Sequence, residues 1–337
     1  MTILVTGAGG FLGRRICASL LEAGASDLRL HFRGAPPAGL IADLQQQHPA
    51  ARIASVGANL LNRGQLDDLV SGIDCIIHAA AGMRGSAADM FANTVIGTRN
   101  LLEAAGAAGV RRIVLISSFA VYRTEGLARG AVHDESLPLE ADGVDKGAYA
   151  HAKTRQEVLF GEYCRRFGFE SVVLRPGVIY GPGAGAFSSR VGIQAMGLFF
   201  SLGRGATLPL TFVGNCADAV ARAALRAPAG SAFNVVDDDL PSCGRYLREY
   251  RRRVARLRVI PVPYWAFLLG SRFLQRYHRK SKGQLPAVFT PYVVRSMYRP
   301  LRYSNAALKA IGWTPRVSTA DGLEQTFSYL REQRASA

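Results

Sequence analysis

Ser118, Tyr149 and Lys153 are the residues whose types and spacing could do chemistry. Tyr149 and Lys153 stand four apart in Tyr149-Ala150-His151-Ala152-Lys153. On a helix they share one face, one turn from each other. A free tyrosine has a pKa of about 10 and is a poor base at neutral pH. A nearby ammonium favours the phenolate, so Lys153 is expected to lower that pKa and make Tyr149 a usable acid and base. The Ser118 hydroxyl can hold the carbonyl or alcohol oxygen on which the reaction occurs. Such a set moves a proton together with a hydride. Tyr122 is a rival base, but it lacks a lysine at i+4, and Ser117 is a rival to its neighbour Ser118. His133 and His151 titrate near the motif, and His78 suits packing beside a cofactor better than acid–base work. No spacing of His, Cys, Asp or Glu suggests a metal site.

A hydride needs a carrier, and the N-terminal segment offers a place for one. Ile3-Leu4-Val5 reads as a short buried strand, and Phe11, Leu12, Ile16, Leu20 and Leu21 mark one side of a following helix. Gly7, Gly10 and Gly13 lie between them. Gly7 permits a tight turn, Gly10 lets a pyrophosphate approach the backbone, and Gly13 lets the helix pack close to the strand. The pyrophosphate would lie on the helix N-terminus, where free N–H groups and the dipole favour an anion. The spacing is Gly-x-x-Gly-x-x-Gly, not the commoner Gly-x-Gly-x-x-Gly. At the end of the second strand, Leu30-His31-Phe32-Arg33 carries no acid before Asp43. An acid there binds a ribose 2′-hydroxyl, whereas an arginine accommodates a 2′-phosphate. Arg33 therefore favours NADP, with NAD as the alternative.

The elements that must position these groups alternate along the chain. Strands are expected at Ile3–Val5, Leu28–Phe32, Ile53–Val56, Cys75–His78, Ile113–Ser117 and Ser171–Leu174. Helical patterns lie near 11–23, 64–71, 87–108 and 147–167. This alternation predicts a doubly wound parallel α/β sheet of Rossmann type. Gly181–Gly185 is a breaker cluster, and Phe233-Asn234-Val235-Val236 returns as a further strand. The expected division is a dinucleotide-binding domain over 1–180, with its return strand near 232–237. A smaller, interleaved substrate-binding region would take 181–231 and 238–337.

Taken together, in order and over nearly the whole chain, these motifs resemble an extended short-chain dehydrogenase/reductase of the NAD-dependent epimerase/dehydratase family. Thr6–Gly13 matches the glycine motif, and His78-Ala79-Ala80-Ala81 the segment that lines the cofactor. Asn93–Leu102 matches the long helix, Ser117–Tyr122 carries the serine, and Arg175–Gly183 follows the sixth strand. The resemblance implies Ser118, Tyr149 and Lys153 as the catalytic set. It implies cofactor contacts from Gly7, Gly10, Phe11, Leu12, Gly13, Arg33, Ala79, Ala80, Ala81, Pro176, Gly177 and Val178. Lys153 would also bind the nicotinamide ribose. Asn59, followed by Leu60, stands near the adenine end, where relatives commonly have an aspartate.

Three branches compete. Nucleotide-sugar 4,6-dehydratases carry an acid shortly after the serine or threonine, where this chain has Phe119 and Ala120. Nucleotide-sugar epimerases usually have an asparagine in place of Gly177. Phe212–Ala217, Tyr264–Leu269 and Tyr303–Pro315 resemble segments of the 3β-hydroxysteroid dehydrogenase-like branch. The expected activity is interconversion of a ketone and a secondary alcohol on a fairly apolar small molecule, with Tyr264–Leu269 part of an apolar pocket. The alternative is an NAD-retaining nucleotide-sugar epimerase. A non-catalytic scaffold is disfavoured by the intact Ser/Tyr/Lys set. Nucleic acid is not an expected partner, because no nucleic-acid module is recognisable, and a homodimer is left open.

The chain has 337 residues, of which 49% are hydrophobic, enough for a sizeable globular core. Its five cysteines form no Cys-x-x-Cys pair and are expected as reduced core thiols of a cytoplasmic enzyme. No signal peptide is read at the N-terminus. No apolar run reaches the roughly 18 residues of a transmembrane helix. The net charge is +16, and the Arg245–Arg302 stretch holds fifteen Lys and Arg against one acid, Glu249. Arg245, Arg248, Arg252 and Arg256 fall at helical spacing, with Arg251, Arg253 and Arg258 beside them. Next come Trp265, Phe267, Leu268, Leu269, Phe273 and Leu274, then Arg276, Arg279, Lys280 and Lys282. Two readings stay open. One is peripheral contact with an anionic membrane; the other is a solvated basic face around a buried helix.

Overall fold

A computed structural model of the chain describes residues 1–280 and 289–336. Ile3, Leu4 and Val5 are wholly shielded from solvent. A strand apolar on both faces needs helices over both, which is the environment of a central parallel strand. The segment is β1 (Thr2–Thr6), at the middle of a seven-stranded sheet. The other strands are β2 (Asp27–Phe32), β3 (Arg52–Gly57), β4 (Cys75–His78), β5 (Arg112–Ile116), β6 (Glu170–Pro176) and β7 (Ser231–Val235). The order across the sheet is β7-β6-β5-β4-β1-β2-β3, and every pairing is parallel. This is the expected doubly wound architecture. The strand order reverses at β1, where Thr6 is level with both His31 and His78. Ligands of open α/β sheets bind in the crevice at such a reversal.

Two helical layers cover the sheet. The helices up to the sixth strand are α1 (Gly13–Glu22), α2 (Leu40–Gln47), α3 (Leu66–Val70), α4 (Ala87–Phe91), α5 (Gly97–Ala107) and α6 (Ala148–Phe167). Residues of a strand alternate between the layers. Ile3, Val5 and Val114 join the core of Ile16 and Leu20. Leu4, Ile113 and Leu115 join the core of Leu101, Leu102 and Phe160. Each fully buried Val, Leu or Ile contributes about 1.5–3 kcal/mol. The helical pattern at 87–108 is two helices joined by a π-helical turn, Ala92–Ile96. Helix α2 has no counterpart among the expected elements.

Beyond the sixth strand come α7 (Val213–Arg226), α8 (Cys243–Arg253), α9 (Tyr264–Lys280), α10 (Pro291–Tyr298), α11 (Ala306–Ala310) and α12 (Thr319–Ala335). Helix α7 falls inside the stretch read as substrate-binding, yet Cys216, Ala217, Val220 and Ala224 pack into the same core as Ile3. Leu308 and Trp313 enter that core as well. A third core gathers Tyr180, Val191, Phe199, Phe212, Tyr246, Tyr250 and Phe327. It lies between the parallel pair Val178–Tyr180 with Leu210–Phe212 and helices α8 and α12. All five cysteines are free and buried. Among the described residues, no helix is long and apolar enough to cross a membrane.

Candidate active site

The β1–α1 turn is built for close approach. Gly7 has φ +72°, a left-handed conformation that a side chain rarely tolerates. A Cβ on Gly13 would lie 2.0 Å from the Gly7 carbonyl oxygen, and one on Gly7 would lie 3.0 Å from the Ala80 nitrogen. Glycine is therefore required for the helix to reach the strand. Helix α1 starts without a side-chain cap and with no acid in its first turn, so its free N–H groups suit an anion. The cradle fits the pyrophosphate of a dinucleotide.

Helix α6 carries Tyr149 in its first turn and Lys153 in its second. It starts after Gly147, at φ +96°, where the chain turns sharply. Lys146 Nζ donates to the Ala120 carbonyl at 2.8 Å and also to that of Tyr122. These bonds hold the segment after Ser118 against the start of α6. Ser118 Oγ caps the short turn Phe119–Val121, accepting from Ala120 N at 3.2 Å. Ser117 is engaged elsewhere: its Oγ donates to Glu157. Glu157 is in turn ion-paired with Arg175, both side chains being buried. The two neighbouring serines are thus distinguished by their partners.

Lys153 is 4% exposed, and its Nζ donates to the Ile116 carbonyl (2.8 Å) and Gln156 Oε1 (2.9 Å). Burial lowers its pKa to about 8, against the attraction of Glu157. The expected lowering of the Tyr149 pKa by Lys153 is not the balance found. Burial raises that pKa, and the opposing influence is a hydrogen bond from Ser118. The ammonium is directed to Ile116 and Gln156, and with its pKa raised by burial Tyr149 is a protonated phenol at neutral pH.

The rivals are committed to structure. Tyr122 is fully buried, donates to Asn234 Oδ1 at 2.7 Å and accepts from Arg175; burial pushes its pKa up to about 12. His133 is buried among Phe119, Tyr122 and Tyr303, and burial lowers its pKa to about 3. His151 Nδ1 lies 2.6 Å from the Asp142 carbonyl, and its ring stacks on Phe91. His78 is buried between Thr6 (2.7 Å) and Thr98 (2.8 Å), with its pKa lowered to about 3, first by burial.

A cavity of about 780 Å³ joins the glycine cradle to these hydroxyls. Gly7, Gly10, Phe11, Leu12, Gly13, Arg33, Asn59, Leu60, Ala79, Ala80, Ala81, Ser118, Tyr149, Lys153, Pro176, Gly177 and Val178 all line it. Arg33 follows β2 and is exposed, with its Nη1 donating to Asn93 Oδ1 at 3.3 Å. The Asn59 side chain is taken up locally, accepting from Leu61 N at 3.1 Å. Gly177 has no room for a side chain: a Cβ there would lie 2.3 Å from the Pro209 carbonyl oxygen. The lining also includes Met83, Asn93, Ile179, Ser188 and Ser189, which the sequence reading missed. Asn93 belongs to the π-helical turn, a distortion that often occurs at functional sites. Ser188 and Ser189 follow the Gly181–Gly185 breaker, and no local pattern marked them. Tyr264–Leu269, expected in the apolar pocket, does not line the cavity. It belongs to α9, where Trp265 and Leu269 face solvent.

A doubly wound sheet with a glycine cradle, opening onto a Ser/Tyr/Lys set, defines a dinucleotide-dependent enzyme. The chain belongs to the NAD dependent epimerase/dehydratase family, whose model matches residues 3–235. It is similar to 2-alkyl-3-oxoalkanoate reductase of Stenotrophomonas maltophilia, 28% identical over 96% of this chain and 98% of that one. It is also similar to an uncharacterized UDP-glucose epimerase, YtcB, of Bacillus subtilis, 33% identical over 54% of this chain and 58% of the relative. Among solved structures, UDP-glucuronic acid 4-epimerase of Bacillus cereus in complex with NAD has the same fold. The TM-score is 0.72 at 20% identity, covering 100% of this chain and 99% of that one.

Proposed function

We propose that this chain is an NAD(P)-dependent oxidoreductase that interconverts a ketone and a secondary alcohol on a fairly apolar substrate. The observation that carries this reading is the single cavity running from the glycine cradle to the Ser118 and Tyr149 hydroxyls. A nicotinamide dinucleotide bound at Gly7, Gly10 and Gly13 supplies the hydride. Ser118 holds the substrate oxygen. Tyr149, kept protonated by burial, gives its proton to that oxygen during reduction and takes one back during oxidation. Lys153 is assigned to the nicotinamide ribose, and the other cofactor contacts fall to Phe11, Leu12, Asn59, Leu60, Ala79, Ala80, Ala81, Pro176, Gly177 and Val178. Arg33 is assigned to a 2′-phosphate, which makes NADP the preferred cofactor.

The substrate class rests on the walls. Phe11, Met83, Val178 and Ile179 are apolar, and the Lys and Arg side chains among the described lining residues are Arg33 and the buried Lys153. A nucleotide sugar carries a diphosphate that calls for further cations. The closed space at Gly177 likewise leaves no room for the asparagine of the epimerase resemblance. The relative matched along nearly its whole length is named for reducing a 2-alkyl-3-oxoalkanoate, so 3-oxo acids with alkyl chains are the first substrates to test. NADPH and NADH absorbance would be followed with such acids of increasing chain length, beside UDP-sugars. The expected result is cofactor oxidation with kcat/KM rising with chain length. UDP-sugar interconversion without net cofactor turnover or ketone reduction would establish the epimerase instead.

A further inference from the structure

The basic stretch divides between two helices of opposite character. Helix α8 buries Cys243, Tyr246, Leu247 and Tyr250 in the third core and turns Arg245, Arg248, Arg251 and Arg252 to solvent. It is a solvated basic face over a buried one. Helix α9 is not. Its inner side is held by Phe267, whose ring lies 5.2 Å from Phe289 and 6.1 Å from Tyr298, and by Ser271, 1% exposed. Its outer side carries Trp265, Leu269, Phe273 and Tyr277, which are 70%, 63%, 69% and 48% exposed.

These four residues are spaced i, i+4, i+8, i+12 and form one ridge along the helix. Arg272, Arg276 and Lys280, also exposed, form a parallel ridge beside them. No acid occurs anywhere in α9. Upstream, Arg248, Arg251, Arg252, Arg256 and Arg258 line a groove. An aromatic ridge alone is a liability in water. Aromatic and leucine side chains flanked by cations, with no acid between, match the boundary of a bilayer whose headgroups are anionic. Long basic side chains can keep their charge among the headgroups while the apolar ridge enters the acyl region.

We propose that the outer face of α9 docks this enzyme on an anionic lipid bilayer, with Trp265, Leu269 and Phe273 inserted and Arg272, Arg276 and Lys280 on the headgroups. Lys282, part of the same basic run, lies outside the described residues. The docking is peripheral, and it stands independently of the reaction assigned above.

The chain carries its own probe. It has two tryptophans; Trp313 is fully buried and Trp265 is 70% exposed, so lipid-dependent emission changes report Trp265. The full-length protein would be mixed at low ionic strength with vesicles of phosphatidylglycerol and phosphatidylcholine, or of phosphatidylcholine alone. The expected result is co-sedimentation with the anionic vesicles, a blue shift of emission and quenching by brominated acyl chains. Salt should release the protein by screening. L269S/F273S should weaken binding about tenfold or more, and R272Q/R276Q about fivefold per arginine. These exposed substitutions should leave the circular dichroism spectrum and melting temperature unchanged. Trp265→Phe should abolish the emission response while binding persists. No sedimentation with anionic vesicles at low salt would overturn the proposal. So would binding that leaves Trp265 unshifted and unquenched. A lipid-independent shift that follows protein concentration would give the face to a second copy of the chain and overturn it equally.

Discussion

Lys153 Nζ donates to the main-chain carbonyl of Ile116 at 2.8 Å, joining α6 to the last residue of β5. The contact starts a chain of bonds across the site. Gln156 accepts from Lys153 and donates to Thr98 Oγ1 at 2.8 Å. Thr98 donates to the Thr94 carbonyl, so His78 Nε2–H donates to Thr98 and Nδ1 accepts from Thr6. Thr6 Oγ1 in turn accepts from Ala80 N at 3.3 Å. The glycine cradle and the Tyr149 helix are thereby held by one buried network whose members satisfy each other, an arrangement that rigidifies.

Tyr149→Phe removes the proton donor and little else. Its kcat should fall by about 10²–10⁴, while cofactor affinity, read by fluorescence titration, stays close to that of the parent. Undiminished turnover of an accepted ketone would remove Tyr149 from the chemistry. In the parent, the raised Tyr149 pKa predicts reduction that holds through neutral pH and declines only as the phenol ionises. Alcohol oxidation should gain over the same alkaline rise.

Ser118→Ala and Ser117→Ala should separate cleanly. Loss of the Ser118 hydroxyl should lower kcat by about 10²-fold, the scale of one oxygen-holding donor, with only a small loss of stability from the cap on Ala120 N. Loss of Ser117 leaves the buried Glu157–Arg175 pair short of a donor and should cost about 1–3 kcal/mol of stability. The reverse pattern in urea unfolding and steady-state kinetics would exchange their roles.

Arg33→Ala should raise the KM for NADPH by at least about tenfold, on the scale of a lost guanidinium–phosphate contact, and change that for NADH little. Arg33 is exposed and its side chain makes one long hydrogen bond, to Asn93 Oδ1 at 3.3 Å, among the described residues, so the variant should fold normally. Equal losses with both cofactors would place the 2′-phosphate elsewhere.

Acid should destabilise the fold through its buried histidines. Burial lowers the pKa of His78 and of His133 to about 3 from an ordinary 6.5. Between those values the unfolded chain binds more protons than the folded one, so stability rises with pH and falls as pH drops from 6.5 toward 3. The slope is at most about 1.4 kcal/mol per pH unit for each histidine. His78→Gln should remove about half of their combined slope, measured by urea unfolding at several pH values. An unchanged slope would exclude His78 as its source.

Much of this was legible because it is local. Alternating apolar strands and helices placed all seven sheet strands to within a few residues. Four-residue spacing put Tyr149 and Lys153 on one helix face, and three glycines marked the β1–α1 turn. Helix α2 escaped because it buries only Leu44, too little to leave a periodic stripe. The π-helical turn at Ala92–Ile96 escaped because its hydrogen bonds, not its residue types, depart from the α-helix.

What only the tertiary structure decided is which groups share an environment. The sequence could name two adjacent serines; both line the cavity, and the fold bound the Ser117 hydroxyl to the buried Glu157 while Ser118 kept its hydroxyl proton unclaimed by a carboxylate. It could place an ammonium one turn from Tyr149; burial decided that the phenol pKa goes up, not down. The apolar run Tyr264–Leu269 read as part of an apolar pocket, yet it became part of a helix with an aromatic face in solvent. Periodicity reports that a helix has an apolar side. What that side meets depends on chain segments far away in sequence, and only their packing settles it.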